Sequence, residues 1–168
     1  LACSPADLDR PSAQALWEAG VRTIEIEALT FQPRVLRYLS RGYTAGRVRT
    51  MIESLSQMGF DIGLVLSPGL PGFRVEDCLE DAQELARLAG RVSFARVNPA
   101  LAFEGSSCAA WLEEGRWIPL EVEEAIPICR QMVDRIEGAG IDVARVGLQP
   151  RQDLQARVIA GPIHPNLR

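Results

Sequence analysis

A short apolar run that ends in a Pro- and Gly-rich loop has the residue types best suited to binding a ligand. In DIGLVLSPGLPG, residues 61–72, the apolar run at 62–66 is typical of a strand covered on both faces of a parallel sheet. Gly69 and Gly72 permit positive φ or close backbone approach, and the two prolines stop helix and ladder alike. The stretch predicts a strand that leads into a phosphate- or ligand-facing turn. The same residues would also suit an ordinary strand-to-helix turn.

Thiol, amine and imidazole chemistry has few candidates. The four cysteines, Cys3, Cys78, Cys108 and Cys129, lie far apart without CxxC or CxxxCxxC spacing, so no metal site is predicted. We interpret them as reduced and mostly buried small hydrophobes. All 18 basic residues are arginine, which excludes a catalytic lysine. The single histidine, His164, lies in a Pro-rich tail, and we interpret it as a hydrogen-bonded structural residue rather than a ligand.

Composition and charge exclude several classes of function. With 168 residues, 47% of them hydrophobic, the chain can bury one sizeable core, as one domain or part of one. A net charge of -4 gives no electrostatic reason to expect a nucleic acid or an anionic membrane as partner. No apolar run approaches the roughly 20 residues that span a bilayer, and no signal-like stretch opens the chain. We therefore expect a cytoplasmic protein with no nucleic-acid or membrane partner.

Strand-like and helical patterns alternate along the chain. Residues 1–5 resemble the end of a strand whose beginning is missing, and the tail at 148–168 is expected to be irregular. An interior proline costs on the order of 3 kcal/mol, so Pro127 predicts a kink or a restart in the last helix. The alternation predicts an α/β fold with right-handed βαβ units and a parallel sheet. The expected strands are 21–28, 61–66, 92–98 and 141–147, and the expected helices are 9–20, 33–39, 44–59, 75–89, 108–113 and 120–139.

Six short motifs follow one another in a fixed order: EIEALTF at 25–31, RGYT at 41–44, PGLPG at 68–72, RVNP at 96–99, GLQP at 147–150 and AGPIHP at 160–165. Together they resemble the later half of the radical S-adenosylmethionine (radical-SAM) core. The resemblance is to the subgroup of the Elongator catalytic subunit and the oxygen-independent coproporphyrinogen oxidase. The first three motifs stand where that family has ELGVQSF, RGHT and PGLPG. The resemblance covers nearly the whole chain.

The resemblance implies a fold and a position for the site. The fold would be the later half of a partial (βα)6 TIM-like barrel. Residues 1–147 would supply about strands four to six and the very end of the third, and 148–168 would form an irregular tail. In such sheets the ligand lies at the carboxyl ends of the strands, where loops converge and helix N-termini point. Here those ends fall at 28–31, 67–72 and 98–99.

The resemblance also implies cofactor-binding residues, namely Thr30, Arg41, Gly69, Leu70 and Asn98. Arg41 would pair with the methionine carboxylate of the cofactor, an interaction suited to a planar guanidinium. An ordinary solvated arginine after a helix is the alternative for Arg41. Catalytic residues cannot be assigned from the sequence.

Departures from the family pattern bear on the cofactor. The CxxxCxxC loop that holds the family's [4Fe-4S] cluster is absent from these residues, and three thiolates at that spacing are needed to leave one iron open. The family's glutamine after the fourth strand is Leu29, and the nearby glycine is Glu27. Loss of the amide at Leu29 would weaken or reshape cofactor binding.

Two hypotheses of function follow. In the first, the chain is the C-terminal part of a radical-SAM-type enzyme core, shaping the cofactor and substrate pocket, with S-adenosylmethionine and [4Fe-4S] implied for the full-length parent. In the second, it is a degenerate or excised half-barrel that acts as a binding or assembly module. In either case we expect the segment alone to be inactive and to bind neither cofactor tightly. The expected partners are the missing N-terminal half of the barrel or, through an exposed sheet edge, a second copy of the segment.

Overall fold

The computed structural model describes residues 1–148 and 156–163. The strands are β1 (Ala2–Cys3), β2 (Thr23–Leu29), β3 (Asp61–Leu66), β4 (Phe94–Val97), β5 (Ala102–Phe103), β6 (Asp142–Val146) and β7 (Val158–Ala160). The helices are α1 (Arg10–Glu18), α2 (Pro33–Tyr38), α3 (Ala45–Gln57), α4 (Val75–Ala86), α5 (Ser107–Glu113) and α6 (Val122–Glu137). None of these helices has the length and apolar content needed to cross a membrane.

Five strands form one parallel sheet in the order β1-β2-β3-β4-β6. Helices separate the strands along the chain, and this confirms the predicted α/β fold. The apolar run in β3 is buried along five of its six residues, because this strand lies in the middle of the sheet with side chains covered on both faces.

The two faces of the sheet differ in chemistry. We call the face that packs on the helices the outer face; it carries fully buried side chains such as Ile24, Ile26 and Val97, which join residues of α3, α4 and α6 in the main core. We call the opposite face the inner face. It carries Glu25 and Glu27 of β2, Gly63 and Val65 of β3, Phe94 and Arg96 of β4, and Arg145 of β6.

The helices begin where capping residues predict. Asp9 accepts a hydrogen bond from the Ser12 amide at 2.9 Å, and Thr44 accepts one from the Arg47 amide at 3.2 Å. Of the predicted kink or restart at Pro127, the restart is wrong, because α6 runs through this residue without a break. The kink stays a prediction. Pro127 is exposed, so the carbonyl that lacks its N–H partner can face water.

A small second sheet lies beyond the carboxyl end of β4. In it β5 and β7 pair antiparallel, and a second apolar cluster forms beside it from Val35, Leu70, Ala100, Ala102 and Trp117. The expectation that all of 148–168 is irregular is therefore wrong, since Val158–Ala160 is a strand. His164 lies outside the described residues.

Candidate functional site

A buried carboxylate on α4 holds the loop after β2 through hydrogen bonds. Asp81 of α4 is 1% exposed, and its Oδ1 accepts hydrogen bonds from the Phe31 amide at 2.9 Å and from Gln32 Nε2 at 3.3 Å. The Thr30 hydroxyl also bonds to Asp81, and Thr30 Oγ1 accepts from the Gln32 amide at 2.9 Å. Burial raises the pKa of Asp81 to about 7, although these three donors act in the opposite direction. Thr30, fully buried, therefore orders the loop.

The residue before this loop has a strained backbone. Leu29 has φ of 59°, a left-handed conformation that a bulky side chain rarely adopts. Its side chain packs against the second apolar cluster. The position where the family has glutamine thus holds an apolar residue in a conformation that costs of order 1–3 kcal/mol.

The loop after β3 is fixed from several sides. Gly69 has φ of 79°, its carbonyl accepts from Trp117 Nε1 at 3.0 Å, and its amide bonds to the Cys78 sulfur. Arg34 donates to the carbonyl of Gly72 and contacts Asp77 Oδ2 at 2.6 Å. Both polar backbone groups of Gly69 are thus used inside the protein, which matches a structural turn better than a phosphate cradle.

A cavity of about 260 Å³ lies at the carboxyl ends of β3, β4 and β6. Ser67, Leu70, Asn98, Cys108 and Leu148 are among its lining residues. The Asn98 amide donates to the Leu66 carbonyl at 2.8 Å, which continues the pairing of β4 with β3. Asn98 Oδ1 is buried and has no hydrogen-bond partner among the described residues. An orphaned buried acceptor beside a cavity is a binding-site signal.

Arg41 lies in a different place. It lines a depression of about 220 Å³ with Arg37, Ser40 and Tyr43, between α2 and α3. Its guanidinium lies 5.9 Å from the centroid of the Tyr43 ring and bonds to the Tyr43 hydroxyl, while its Nε is buried without a partner among the described residues. Leu70 and Asn98 therefore share one cavity, and Arg41 does not line it.

The cysteines remain protonated thiols. Burial raises the pKa of Cys78 and of Cys129 to about 12 and that of Cys3 to about 11. Burial also raises the pKa of the Cys108 thiol. Metal binding at any of these thiols would have to release its proton.

Sequence reasoning missed the Asp81 contact and the charged inner face. Asp81 is 50 residues from Phe31 in sequence, and nothing near it signals that partner. On the inner face Arg96 Nε lies 2.7 Å from Glu25 Oε2, two strands away. The alternation in β2 was the available signal, because it placed glutamates on the face opposite Ile24 and Ile26.

A parallel sheet with helices on its outer face, and a cavity at the carboxyl ends of its strands, defines an α/β protein of the partial-barrel type. Residues 92–168 match the Radical_SAM C-terminal domain family. The resemblance to the radical-SAM superfamily is thereby confirmed for the C-terminal part of its core. No curated protein matches the chain significantly.

Solved structures match the fold. The archaeal Methanocaldococcus infernus Elp3 with an N-terminal deletion (1–46) superposes with a TM-score of 0.84 over 99% of this chain, at 17% identity. The radical S-adenosylmethionine methyltransferase TsrM from Kitasatospora setae, with tryptophan substrate and a SAM analogue bound, has a TM-score of 0.51 over 60% of the chain, at 19% identity. TsrM with cobalamin and a [4Fe-4S] cluster bound has the same score over 59%.

The chain is similar to only a portion of each of these proteins. It spans 38% of the Elp3 chain and 19% and 18% of the two TsrM chains. At these identities the likeness establishes the fold alone.

Proposed function

We propose that the chain is the C-terminal part of a radical-SAM-type iron-sulfur enzyme core and that it shapes the pocket for S-adenosylmethionine and substrate. The cavity beside Asn98 is the observation that carries this proposal. A buried oxygen without a donor costs about 1–3 kcal/mol, and a ligand that donates a hydrogen bond there would offset that cost. S-adenosylmethionine has such donors in its ribose hydroxyls and amino groups.

The described residues suit S-adenosylmethionine better than the cluster. Asn98 Oδ1 and Arg41 Nε are buried polar atoms without partners among the described residues. Asn98 would hold a donor of the cofactor, and Leu70 would exclude water beside it; the bound cofactor would supply the radical chemistry of the superfamily. Within residues 1–148 and 156–163, no group of three or more His, Cys, Asp or Glu residues is placed to hold a metal ion. We propose that the CxxxCxxC ligands lie outside this chain.

A degenerate or excised half-barrel that serves as a binding or assembly module is the second candidate. Two observations favour it: Leu29 lacks the family's amide, and the polar groups of Gly69 are used within the protein. In this alternative the partner would be the N-terminal half of a barrel, and the cavity would not bind the cofactor.

Calorimetric titration of S-adenosylmethionine into the protein at its natural length separates the two candidates. We expect binding that Asn98→Leu weakens roughly tenfold, since one hydrogen-bond acceptor of similar size is lost. Gln131→Leu, an exposed amide on α6, is the matched control and should bind as the wild type does. Absence of binding to the wild type would favour the assembly module, and equal affinity for Asn98→Leu would remove Asn98 from the site.

The role of Arg41 is tested in the same way. If Arg41 pairs with the carboxylate of the cofactor, Arg41→Ala should lose a charge-assisted hydrogen bond of about 1.5–3 kcal/mol, which is roughly tenfold to a hundredfold in affinity. Arg37→Ala, in the same depression, is the control. Equal effects of the two substitutions would show only that the depression as a whole matters.

A further inference from the structure

The residue that ends β2 is the centre of a strained turn. Leu29 has φ of 59°, and the Thr30 amide donates to the Ala28 carbonyl at 2.6 Å across it. A γ-turn with positive φ is rare and strained, and it persists only where surrounding contacts hold it. The contacts on its two sides lead to Asp81 and to the lining of the Asn98 cavity.

On the α4 side, Asp81 holds the residues that follow the turn. Its carboxyl group accepts hydrogen bonds from the Thr30 hydroxyl, from the Phe31 amide at 2.9 Å and from Gln32 Nε2 at 3.3 Å. Phe31 and Gln32 also line a surface depression of about 440 Å³ between α3 and α4. Movement of these two residues would therefore admit water to the buried carboxyl group.

On the β3 side, the turn is bonded to the cavity. The Leu29 carbonyl accepts a hydrogen bond from the Ser67 amide at 2.8 Å, and Ser67 lines the Asn98 cavity. The Leu29 side chain packs against the second apolar cluster, in which Leu70 and Ala100 are lining residues of the same cavity. A change in the conformation of Leu29 would therefore shift both polar and apolar parts of the cavity lining.

The charge of Asp81 bears on whether the turn stays in place. Burial raises the pKa of Asp81 to about 7, so the buried arrangement binds a proton more tightly than a carboxyl group in water does. Rising pH therefore favours arrangements in which this group reaches water. Other ionisable groups lie beside Asp81, beside its partners or beside its helix neighbours: Asp77, Cys78 and Glu80 of α4, Arg34 of α2, Arg49 of α3 and Cys129 of α6. The two thiols keep their protons at neutral pH, because burial raises the pKa of each to about 12.

We propose that Asp81 is a positioning residue for the Asn98 cavity: it holds the strained Leu29 turn, and its ionisation releases the turn and weakens ligand binding at the cavity. Asp81 acts through Leu29 and Ser67 and does not itself line the cavity. Binding of S-adenosylmethionine there rests on the proposed function, whereas the movement of the cavity lining with pH does not.

Methyl NMR on the protein at its natural length, without S-adenosylmethionine, tests the movement. We expect the methyl signals of Leu29 and Leu70 to titrate together with a midpoint near pH 7 and to stay constant through this range in Asp81→Asn. Glu76→Gln, which removes an exposed carboxylate on the same helix, is the matched control and should titrate as the wild type does. Titration that persists in Asp81→Asn, or that affects Leu29 and not Leu70, would overturn the proposal.

Calorimetric titration of S-adenosylmethionine at pH 6 and pH 8 measures the effect on binding. Relative to Asp81→Asn, the wild type should lose affinity severalfold at the higher pH, within the roughly hundredfold that one proton allows over two pH units. Titration of the cofactor's own amino group is common to both proteins and cancels in this ratio. An equal pH dependence in the two proteins would refute the positioning role. Absence of binding to both would overturn the proposed function, and the methyl signals would still decide the role of Asp81.

Thr30→Val provides a second variant if Asp81→Asn does not fold. It removes a hydrogen bond that lowers the pKa of Asp81, so the midpoint of the methyl titration should move to higher pH. A purely structural role of Asp81 would change the stability of this variant without moving that midpoint. A midpoint that stays in place or falls would refute the assignment of the titration to Asp81.

Discussion

The Asp81 carboxylate links the helix α4 to the loop that follows β2. It is nearly inaccessible to solvent and accepts hydrogen bonds from Thr30, Phe31 and Gln32. The loop carries Thr30, one of the predicted cofactor-binding residues, so the position of that residue depends on a contact 50 residues away in sequence. No local pattern could have predicted it, because a buried acid on an amphipathic helix has the same spacing as an apolar residue.

Asp81 should make stability fall as pH rises. Its pKa is raised to about 7 in the folded protein against about 3.9 when unfolded. The folded state therefore holds more protons between these values, and the contribution of Asp81 is full below about pH 4 and lost as pH rises through about 7. In urea denaturation at pH 5 and pH 8, Asp81→Asn should gain stability relative to the wild type at the higher pH. Glu53→Gln, an exposed carboxylate on α3, is the control. A constant difference between wild type and Asp81→Asn would contradict the account.

Gly69 should be the least replaceable glycine of the β3 loop. An added Cβ would lie 2.8 Å from Leu120 Cδ1, at a φ of 79° that disfavours any L side chain. We expect Gly69→Ala to lower the free energy of unfolding by roughly 1–3 kcal/mol. Gly105 has φ of 73° with nothing within 4 Å of an added Cβ, so Gly105→Ala measures the backbone cost alone. Equal losses of unfolding free energy in the two variants would mean that the Leu120 side chain moves aside without lowering stability.

At the scale of elements, long periodic patterns were sufficient to predict strands from the sequence, and short patterns were not. The alternation in β2 and the apolar run in β3 predicted both strands to within two residues, because burial on one or both faces fixes those patterns. The strands β5 and β7, of two and three residues, have too few positions to show a period. Leu70 and Asn98 were predicted as site residues from a resemblance, and the structure places both at one cavity. Their binding role stays a prediction.

Pro127 offers a test of α6. Its ring removes one N–H from the helix interior, yet the helix continues, held by buried residues such as Cys129, Met132 and Ile136. Pro127→Ala would restore the missing backbone bond, and we expect it to raise the free energy of unfolding by about 1–3 kcal/mol. Gln131→Ala, one turn later on the exposed side, should change it by less than about 0.5 kcal/mol. A neutral or destabilising Pro127→Ala would show that α6 is adapted to the proline.

At the scale of the whole molecule, the edge of the main sheet is partly covered. The Glu25 amide donates to the Leu1 carbonyl at 2.7 Å, and the Tyr43 hydroxyl donates to the Glu27 carbonyl at 3.2 Å. The described part of the tail pairs with β5 and does not cover this edge. Among the described residues, no strand pairs with the outer edge of β1, and the inner face carries the charged residues Glu25, Glu27 and Arg96.

We therefore expect the isolated chain to self-associate through this edge or this face. Light scattering over a concentration series measures it. Tyr43→Phe, which uncovers the Glu27 carbonyl, should increase association, whereas Tyr38→Phe on α2 should not. A wild type that stays monomeric at high micromolar concentration would show that Leu1–Cys3 and Tyr43 cover the sheet edge well enough to prevent self-association.

The central claim is that this chain is the later part of a radical-SAM-type core whose cluster is held by residues elsewhere. Iron and sulfide analysis after anaerobic reconstitution of the protein at its natural length tests it most directly, with all four cysteines of this chain replaced by alanine in a matched variant. We predict one [4Fe-4S] cluster in both proteins, because the described residues, which include all four cysteines, place no three potential ligands close enough together to hold a metal ion. Loss of the cluster in the variant would contradict the claim, and a wild type that takes up no iron would leave the assembly module as the better account.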